Sequence, residues 1–206
     1  MHTLTGGGRK LPGLIALALL AAGCTTSTAP GYFRLEVPAD LPAPATPDAT
    51  QGLTQAASDY AVIIGPFGLA EYLDRPQIVT RDGANGITVS DYERWAEPLD
   101  SNFQAAVAGT VRRLTRSDRV LEFPAQAILK ADRRVMGRIS RLDVDAAGLA
   151  VLEVQWGVRD GTGAESRPGS VSRYEARVTG AGIVARVAAL NATVTAFSVD
   201  VAAAVR

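Results

Sequence analysis

Residues 133–159 read RRVMGRISRLDVDAAGLAVLEVQWGVR, and this stretch decides the fold. In its second half, Ala, Leu, Val, Trp and Val occupy every second position from 150 to 158. Such alternation is typical of a strand that buries one face. The two halves are separated by Asp145-Ala146-Ala147-Gly148, a sequence that favours a turn. We therefore predict a hairpin formed by strands Arg133–Asp145 and 149–159.

Shorter runs of β-branched and aromatic residues predict further strands on both sides of this hairpin. They lie at residues 31–37, 59–65, 77–81, 86–90, 119–123 and 171–178. Gly65-Pro66 is predicted to stop the strand at 59–65, since Gly and Pro end regular structure. The segment 160–170, rich in Gly and Ser, is predicted to be a loop.

Two amphipathic helices complete the expected fold. The first is predicted to begin near Ser90 or Asp91, and its apolar face would contain Trp95, Leu99, Phe103, Val107, Val111 and Leu114. Pro98 requires either a start near Glu97 or a kink. The second spans 183–206, and its stripe would pack on the sheet or, alternatively, contact a partner or lipid. The fold class is α/β, with a mixed β-sheet packed against two main helices.

The N-terminus indicates the compartment. Arg9 and Lys10 precede an apolar stretch at 11–22 that is shorter than the roughly 20 residues of a membrane-spanning helix. The stretch runs into Ala21-Ala22-Gly23-Cys24, which resembles the lipobox of bacterial lipoproteins. The alternative is an ordinary signal peptide followed by a chance Cys. We expect a signal peptide at 1–23, a lipidated tether at 24–30 and an α/β domain at 31–206 with a Pro-rich loop at 38–57.

The lipobox resemblance implies that Cys24 is the mature N-terminus and carries the acyl chains, palmitate among them. Thr25 follows, where Asp would be the usual signal for retention in the inner membrane. The resemblance to Gram-negative lipoproteins therefore implies the periplasmic face of the outer membrane.

The composition excludes several classes of function. The chain has 206 residues with 21 Lys and Arg against 21 Asp and Glu, a net charge of zero that argues against nucleic-acid binding. Its one Cys lies at the lipobox and its one His at position 2, so the domain lacks the residues of Ser–His, Cys–His and His-ligated metal sites. Asp82, Asp143 and Asp145 are the remaining candidate acid–base or metal groups, and for Asp143 and Asp145 we predict a solvated hairpin end. We predict no catalytic residue, cofactor or metal, and hence no enzyme.

Two motifs carry a resemblance to a known family. Residues 65–81 read GPFGLAEYLDRPQIVTR, and residues 94–99 read RWAEPL. Together they resemble the ABC-type transport auxiliary lipoproteins, the family of paraquat-inducible protein C. The aromatic segment after the anchor and Trp156 in a late strand agree with this family. Its fold resembles the N-terminal domain of TolB, which is anticodon-binding-domain-like.

The resemblance implies a function for the chain. It would be a non-enzymatic, lipid-anchored auxiliary component of a system moving lipids or hydrophobic molecules between the inner and outer membranes. Its implied partners are an MCE-domain (mammalian-cell-entry) periplasmic protein, an ABC permease and an ATPase, and homo-oligomerisation stays open. The alternatives are an outer-membrane lipoprotein regulating a cell-wall synthase or an envelope assembly machine, and a direct lipid carrier.

Within these motifs the candidate functional residues are Asp74, Arg75, Pro76, Arg94 and Trp95. Pro fixes φ and lacks a donor, so Pro76 suits the start of a strand. Arg can bind carbonyls or a carboxylate through two bonds, and Arg94 is expected to pair with Asp74 or Glu97. These five residues are predicted to form either a structural clamp between turn and helix or a surface for a partner.

Overall fold

The structure, a computed structural model, describes residues 2–3, 29–39, 41, 60–125 and 130–206. The predictions for Cys24, for nearly all of the signal peptide and tether, and for most of the Pro-rich loop therefore lie outside the described residues.

Strands dominate the described part of the chain, with one helix in the middle and one at the end. The strands are β1 (Gly31–Phe33), β2 (Val62–Leu69), β3 (Gln77–Asp82), β4 (Gly86–Trp95), β5 (Val120–Glu122), β6 (Arg133–Asp145), β7 (Leu149–Asp160) and β8 (Glu165–Arg177). The helices are α1 (Leu99–Thr115) and α2 (Gly182–Ala204), and a single 3-10 turn spans Glu71–Leu73.

The long strand β6 organises the sheet. On one side it pairs with β7 in antiparallel fashion, and β7 pairs with β8. On its other side β6 pairs in parallel first with β2 and then, at its C-terminal end, with β3. From these, β2 continues to β5, while β3 continues through β4 to β1. The described residues thus form one mixed sheet of eight strands, and the predicted α/β class with two main helices is confirmed.

Both helices pack on one face of this sheet, which we call the inner face. Alternate residues of β7 from Ala150 to Val158 are buried there, as the sequence pattern predicted. Phe197 of α2 lies at the centre of an aromatic cluster. Its ring centroid is 5.2–5.8 Å from those of Phe67, Phe103, Trp156 and Tyr174. The opposite, outer face of the sheet has no helix on it in the described residues.

Gly65-Pro66 does not end β2, contrary to the prediction. The strand continues to Leu69, and its register with β6 shifts between Ile64 and Phe67. The shift absorbs Pro66, which has no N–H to offer a neighbouring strand. Gly65 is required because its φ is +111° and an added Cβ would lie 1.8 Å from Oε1 of Gln104.

The first helix also begins later than predicted. Residues 90–95 belong to β4, and α1 starts at Leu99 with Pro98 as its N-cap residue. Trp95 lies four residues before Leu99 and so fits the helical period, but it ends a strand. Backbone pairing with β1 and β3 overrides the periodicity at this point.

Two smaller boundaries differ from the predictions. The strand β8 begins at Glu165, inside the segment predicted to be a loop. The strand β1 ends at Phe33, and the following residues up to Pro38 are irregular. Leu35 in that irregular segment is nevertheless buried.

The C-terminal helix α2 is, by length and composition alone, apolar enough to cross a membrane. Half of its most apolar window is buried within the fold. Val187, Leu190, Val194, Phe197 and Val201 form the buried side, as predicted from their spacing.

Candidate partner surface and a buried carboxylate

The two sequence motifs meet at one end of the sheet. Gln77, the first residue of β3, lies opposite Arg94 of β4. The carbonyl oxygen of Pro76 accepts a hydrogen bond from the backbone N–H of Trp95 at 2.7 Å. The turn at 74–76 and the end of β4 are therefore adjacent, although Pro76 and Arg94 are 18 positions apart in the chain.

The five candidate residues differ in exposure. Trp95 is only 5% exposed and belongs to the hydrophobic core. Asp74, Arg75 and Pro76 are exposed on the turn. Trp95 therefore holds this end of β4 in the core, whereas the side chains of the turn point to solvent.

Arg94 makes neither of the ion pairs expected from the sequence. Glu97 instead accepts a hydrogen bond from Nδ2 of Asn102 at 3.0 Å and lies 3.5 Å from Nη2 of Arg34. Within the described residues, Arg94 has no ion pair and its buried Nε has no hydrogen-bond partner. Within the described residues, the charged side chains of the two motifs therefore form no ion pair between the turn and the strand.

A second site lies at the junction of β3 and β6, where the sequence predicted a solvated hairpin end. Asp143 is fully buried, which corrects that prediction. Its Oδ1 accepts a hydrogen bond from Nε of Arg141 at 2.9 Å. Its Oδ2 accepts hydrogen bonds from Nη2 of Arg81 and from the hydroxyl of Tyr72, both at 3.3 Å. We call these four residues the Asp143 cluster.

The partners of Asp143 arrive from three different segments. Tyr72 lies in the 3-10 turn that follows β2, Arg81 lies in β3, and Arg141 lies two residues before Asp143 in β6. Arg81 also donates a hydrogen bond from Nη1 to the carbonyl of Ala84 in the β3–β4 turn. The cluster therefore ties the 3-10 turn, the β3–β4 hairpin and the central strand β6 together.

The chemistry of the cluster is that of a closed ion pair. Both oxygens of Asp143 are occupied and two guanidinium groups flank them, an arrangement that disfavours an added cation. Burial and the neighbouring carboxylate of Asp143 raise the pKa of Tyr72 above its ordinary value, so this hydroxyl stays protonated as a donor. We assign the cluster to the fold and not to catalysis.

The other candidate carboxylates have structural or exposed positions. Oδ1 of Asp145 accepts the backbone N–H groups of Ala147 and Leu149, each at 2.9 Å, and so caps the β6–β7 turn. Asp82 is exposed at the end of β3. In the part of the chain that the structure describes, no group of three His, Cys, Asp or Glu residues is placed to hold a metal ion.

Sequence reasoning missed two asparagines that fasten the segment after β1. Oδ1 and Nδ2 of the buried Asn102 bind the N–H and the carbonyl of Leu35 at 2.6 and 3.1 Å. Oδ1 of Asn191 accepts the N–H of Glu36 at 2.9 Å. One asparagine comes from each helix, so the chain that leads in from the N-terminus is fixed to both. Long-range contacts of this kind leave no periodic signal in a sequence.

Comparison with known proteins identifies relatives of this fold. A family model described as ABC-type transport auxiliary lipoprotein component matches residues 40–202. The chain is similar to the crystal structure of an uncharacterized protein, at a TM-score of 0.66 and 13% identity, over 85% of this chain and 98% of that one. It is also similar to a Xanthomonas campestris protein of family DUF330, at a TM-score of 0.55 and 16% identity, over 69% of this chain and 81% of that one. None of the curated proteins matches the sequence.

Proposed function

The chain belongs to the ABC-type transport auxiliary lipoprotein component family, and we propose that it is the non-enzymatic, outer-membrane-anchored member of an MCE-linked transport system. Such a system would move lipids or other hydrophobic molecules between the inner and outer membranes. ATP hydrolysis would belong to a cytoplasmic ATPase, and this chain would receive the periplasmic end of an MCE-domain protein.

The observation that carries this proposal is the extent of the family match. Residues 40–202 begin before β2 and end within α2, so the match includes nearly all of the helices and strands described above. The match therefore concerns the folded body as a whole and not one short motif.

The way in which the N-terminal segment enters the fold supports an anchored role. A lipid on Cys24 would pull on the chain through residues 25–30, which extend about 20 Å at most. The first strand, β1, pairs in parallel with β4. Beyond β1, Asn102 and Asn191 hold Leu35 and Glu36. Force from the membrane would thus be borne by the sheet and by both helices.

The exposed turn at 74–76 supports docking at one end of the sheet. Its backbone is fixed, because the carbonyl of Pro76 binds the buried Trp95 through its N–H. Its side chains remain exposed. A rigid backbone that presents exposed charged side chains lowers the entropic cost of binding a partner. We therefore favour the partner surface over the structural clamp for Asp74 and Arg75.

The proposal is tested by crosslinking whole cells and capturing the full-length chain from solubilised membranes. We expect an MCE-domain protein to be enriched together with its permease and ATPase. Cys24→Ser is the matched control: it should release the chain into the soluble fraction or leave the precursor uncleaved, and the enrichment should fall. Capture of a cell-wall synthase or an envelope assembly machine without any MCE-domain protein would overturn the proposal in favour of the alternative.

A further inference from the structure

Two arginines face each other across the β6–β7 hairpin on the outer face of the sheet. Arg134 of β6 lies directly opposite Arg159 of β7 in the register. Residues opposite one another in an antiparallel pair have Cβ atoms about 5 Å apart, and like charges in these positions are destabilising.

A one-residue shift in register creates this pairing. From Val144 to Arg141 the partners follow one register, and continuing it would place Arg134 opposite Asp160. The register shifts between Ile139 and Arg141, and Arg134 then faces Arg159. The bulge therefore replaces a favourable pair of opposite charges with a repulsive one. Bulges of this kind are common beside functional sites, where they redirect a side chain.

A cleft opens at these two arginines. It has a volume of about 500 Å³, and its lining includes Lys130, Arg134, Met136, Arg159 and Asp160. A second depression of about 240 Å³ adjoins it, sharing Met136 and Arg159 and adding Arg138 and Gly157. We call the two together the arginine cleft.

Two carboxylates, Asp160 and Glu165, line the cleft and offset only part of its positive charge. Oδ1 of Asp160 accepts three hydrogen bonds from Thr162 and Ala164 in its own turn, at 2.6, 2.8 and 3.1 Å. These hydrogen bonds lower the pKa of Asp160, and the bond from the Thr162 hydroxyl has the largest effect. Glu165 lies 3.9 Å from Arg159, and both side chains are more than half exposed, so their attraction is weak.

Three other cations of the cleft are not held in ion pairs within the described residues. Across the described ranges, Lys130, Arg134 and Arg138 form no ion pair. The described lining of the cleft thus holds more positive than negative charge, and the pair between Arg159 and Glu165 relieves the repulsion between Arg134 and Arg159 only in part.

We propose that the arginine cleft binds an organic phosphate. A phosphate carries up to two negative charges and offers oxygens to both guanidinium forks, which suits two opposed arginines with a lysine beside them. The volume falls in the range of small-molecule sites and exceeds what a bare anion needs. Met136, which lines both depressions, provides apolar contact for the organic part of the ligand. This site does not depend on the transport partners proposed above.

The test is isothermal titration calorimetry on the full-length lipidated chain in a non-ionic detergent at low salt. The probes are sn-glycerol 3-phosphate, inorganic phosphate and dihexanoyl phosphatidylglycerol, with glycerol as the uncharged comparison. We expect the organic phosphates to bind and glycerol not to bind. A preference for dihexanoyl phosphatidylglycerol would identify a lipid headgroup as the source, and a preference for sn-glycerol 3-phosphate a soluble metabolite.

Variants separate a binding role from a structural one. Arg134→Gln and Arg159→Gln should each weaken binding by about tenfold or more, the size expected for a lost charge-assisted hydrogen bond. Arg177→Gln removes an equal charge from the exposed end of β8, and it should bind as the wild type does. Without ligand, Arg159→Gln should melt no lower than the wild type. The proposal is overturned if no organic phosphate binds, if only inorganic phosphate binds, or if a variant that combines Arg134→Gln with Arg159→Gln binds unchanged.

Discussion

The outer face of the β6–β7 hairpin carries two clusters of charge that differ in one respect. At the C-terminal end of β6, the carboxylate of Asp143 is buried and bound by Arg81, Arg141 and Tyr72. At the N-terminal end, Arg134 lies directly opposite Arg159, and the ion pair nearest to them in the described residues is the exposed one between Arg159 and Glu165. In the first cluster the buried carboxylate is bound by two guanidinium groups. The second cluster is open to solvent, and its two arginines repel each other.

The difference shows how one sheet face serves both the fold and binding. Buried charges are tolerated when they are paired and hydrogen-bonded, and the carboxylate of Asp143 satisfies this condition, whereas Nε of Arg81 has no partner in the described residues. Opposed like charges lower stability, and departures of this kind from local rules are expected at functional sites. Removing charge should therefore have opposite effects on the two clusters.

The largest expected effect comes from Asp143→Ala. This change leaves Arg81 and Arg141 partly buried without their counter-ion, so the free energy of unfolding should fall by about 3 kcal/mol or more. Denaturation in urea measures it. Glu175→Gln is the control, because it breaks only an exposed pair with Arg173 and should cost less than about 1 kcal/mol. If the two variants lost equal amounts of unfolding free energy, the ion pairs of Asp143 would be no stronger than an exposed pair, and the account of the Asp143 cluster would be contradicted.

Tyr72→Phe should have a smaller effect on the same cluster. It removes the hydroxyl that donates to Asp143 while keeping the ring, and a hydrogen bond to a charged group contributes about 1.5–3 kcal/mol. We expect a loss near the lower end of this range, since Tyr72 is half-buried and the bond is 3.3 Å long. A double-mutant cycle with Asp143→Ala should show strong coupling, and additive losses would speak against the pairing.

Of these substitutions, Arg159→Gln should change the free energy of unfolding least, and it should not lower it. It removes the repulsion across β6–β7 at the cost of a weak pair with Glu165, so the unfolding free energy should stay level or rise by up to about 0.5 kcal/mol at low salt. Raising the salt concentration should erase the gain. A clear loss of stability at low salt would mean that Arg159 supports the fold.

Alkaline pH should distinguish the clusters without mutation. Burial raises the pKa of Tyr72, and burial together with a hydrogen bond to Asp200 raises that of Tyr174 to about 12. A raised folded pKa gives stability that is complete below pH 10 and is lost as the pH rises towards 12. The arginines stay charged throughout. The free energy of unfolding, followed by circular dichroism, should therefore fall less steeply with rising pH in Tyr72→Phe than in the wild type. In Arg159→Gln it should fall as steeply as in the wild type.

Local patterns in the sequence were enough to predict the hairpin, the inward faces of β7 and α2, and the α/β class. The burial of Asp143 was not predictable in this way, because Tyr72 and Arg81 reach it from 71 and 62 residues earlier in the chain. Whether a residue beside a turn is buried depends on which distant segments pack over it. The residues next to it in the sequence do not indicate those segments.

The arginine cleft could not be predicted from the sequence for a different reason. Counting outward from the turn at 145–148 would pair Arg134 with Asp160, and only the bulge near Ser140 brings Arg159 opposite. Trp95 shows the same limit, since its spacing to Leu99 fits a helix while the pairing of β4 places it in a strand. Register and pairing are properties of the whole sheet.

The most direct test of the account is site-specific photo-crosslinking in intact cells. A photoreactive residue placed at position 75, on the exposed turn, should form an adduct with an MCE-domain protein in the membrane fraction. The same residue at position 177, at the exposed end of β8, should form little or none. Equal adducts from both positions, or an adduct at position 75 with a protein unrelated to ABC transport, would contradict the account.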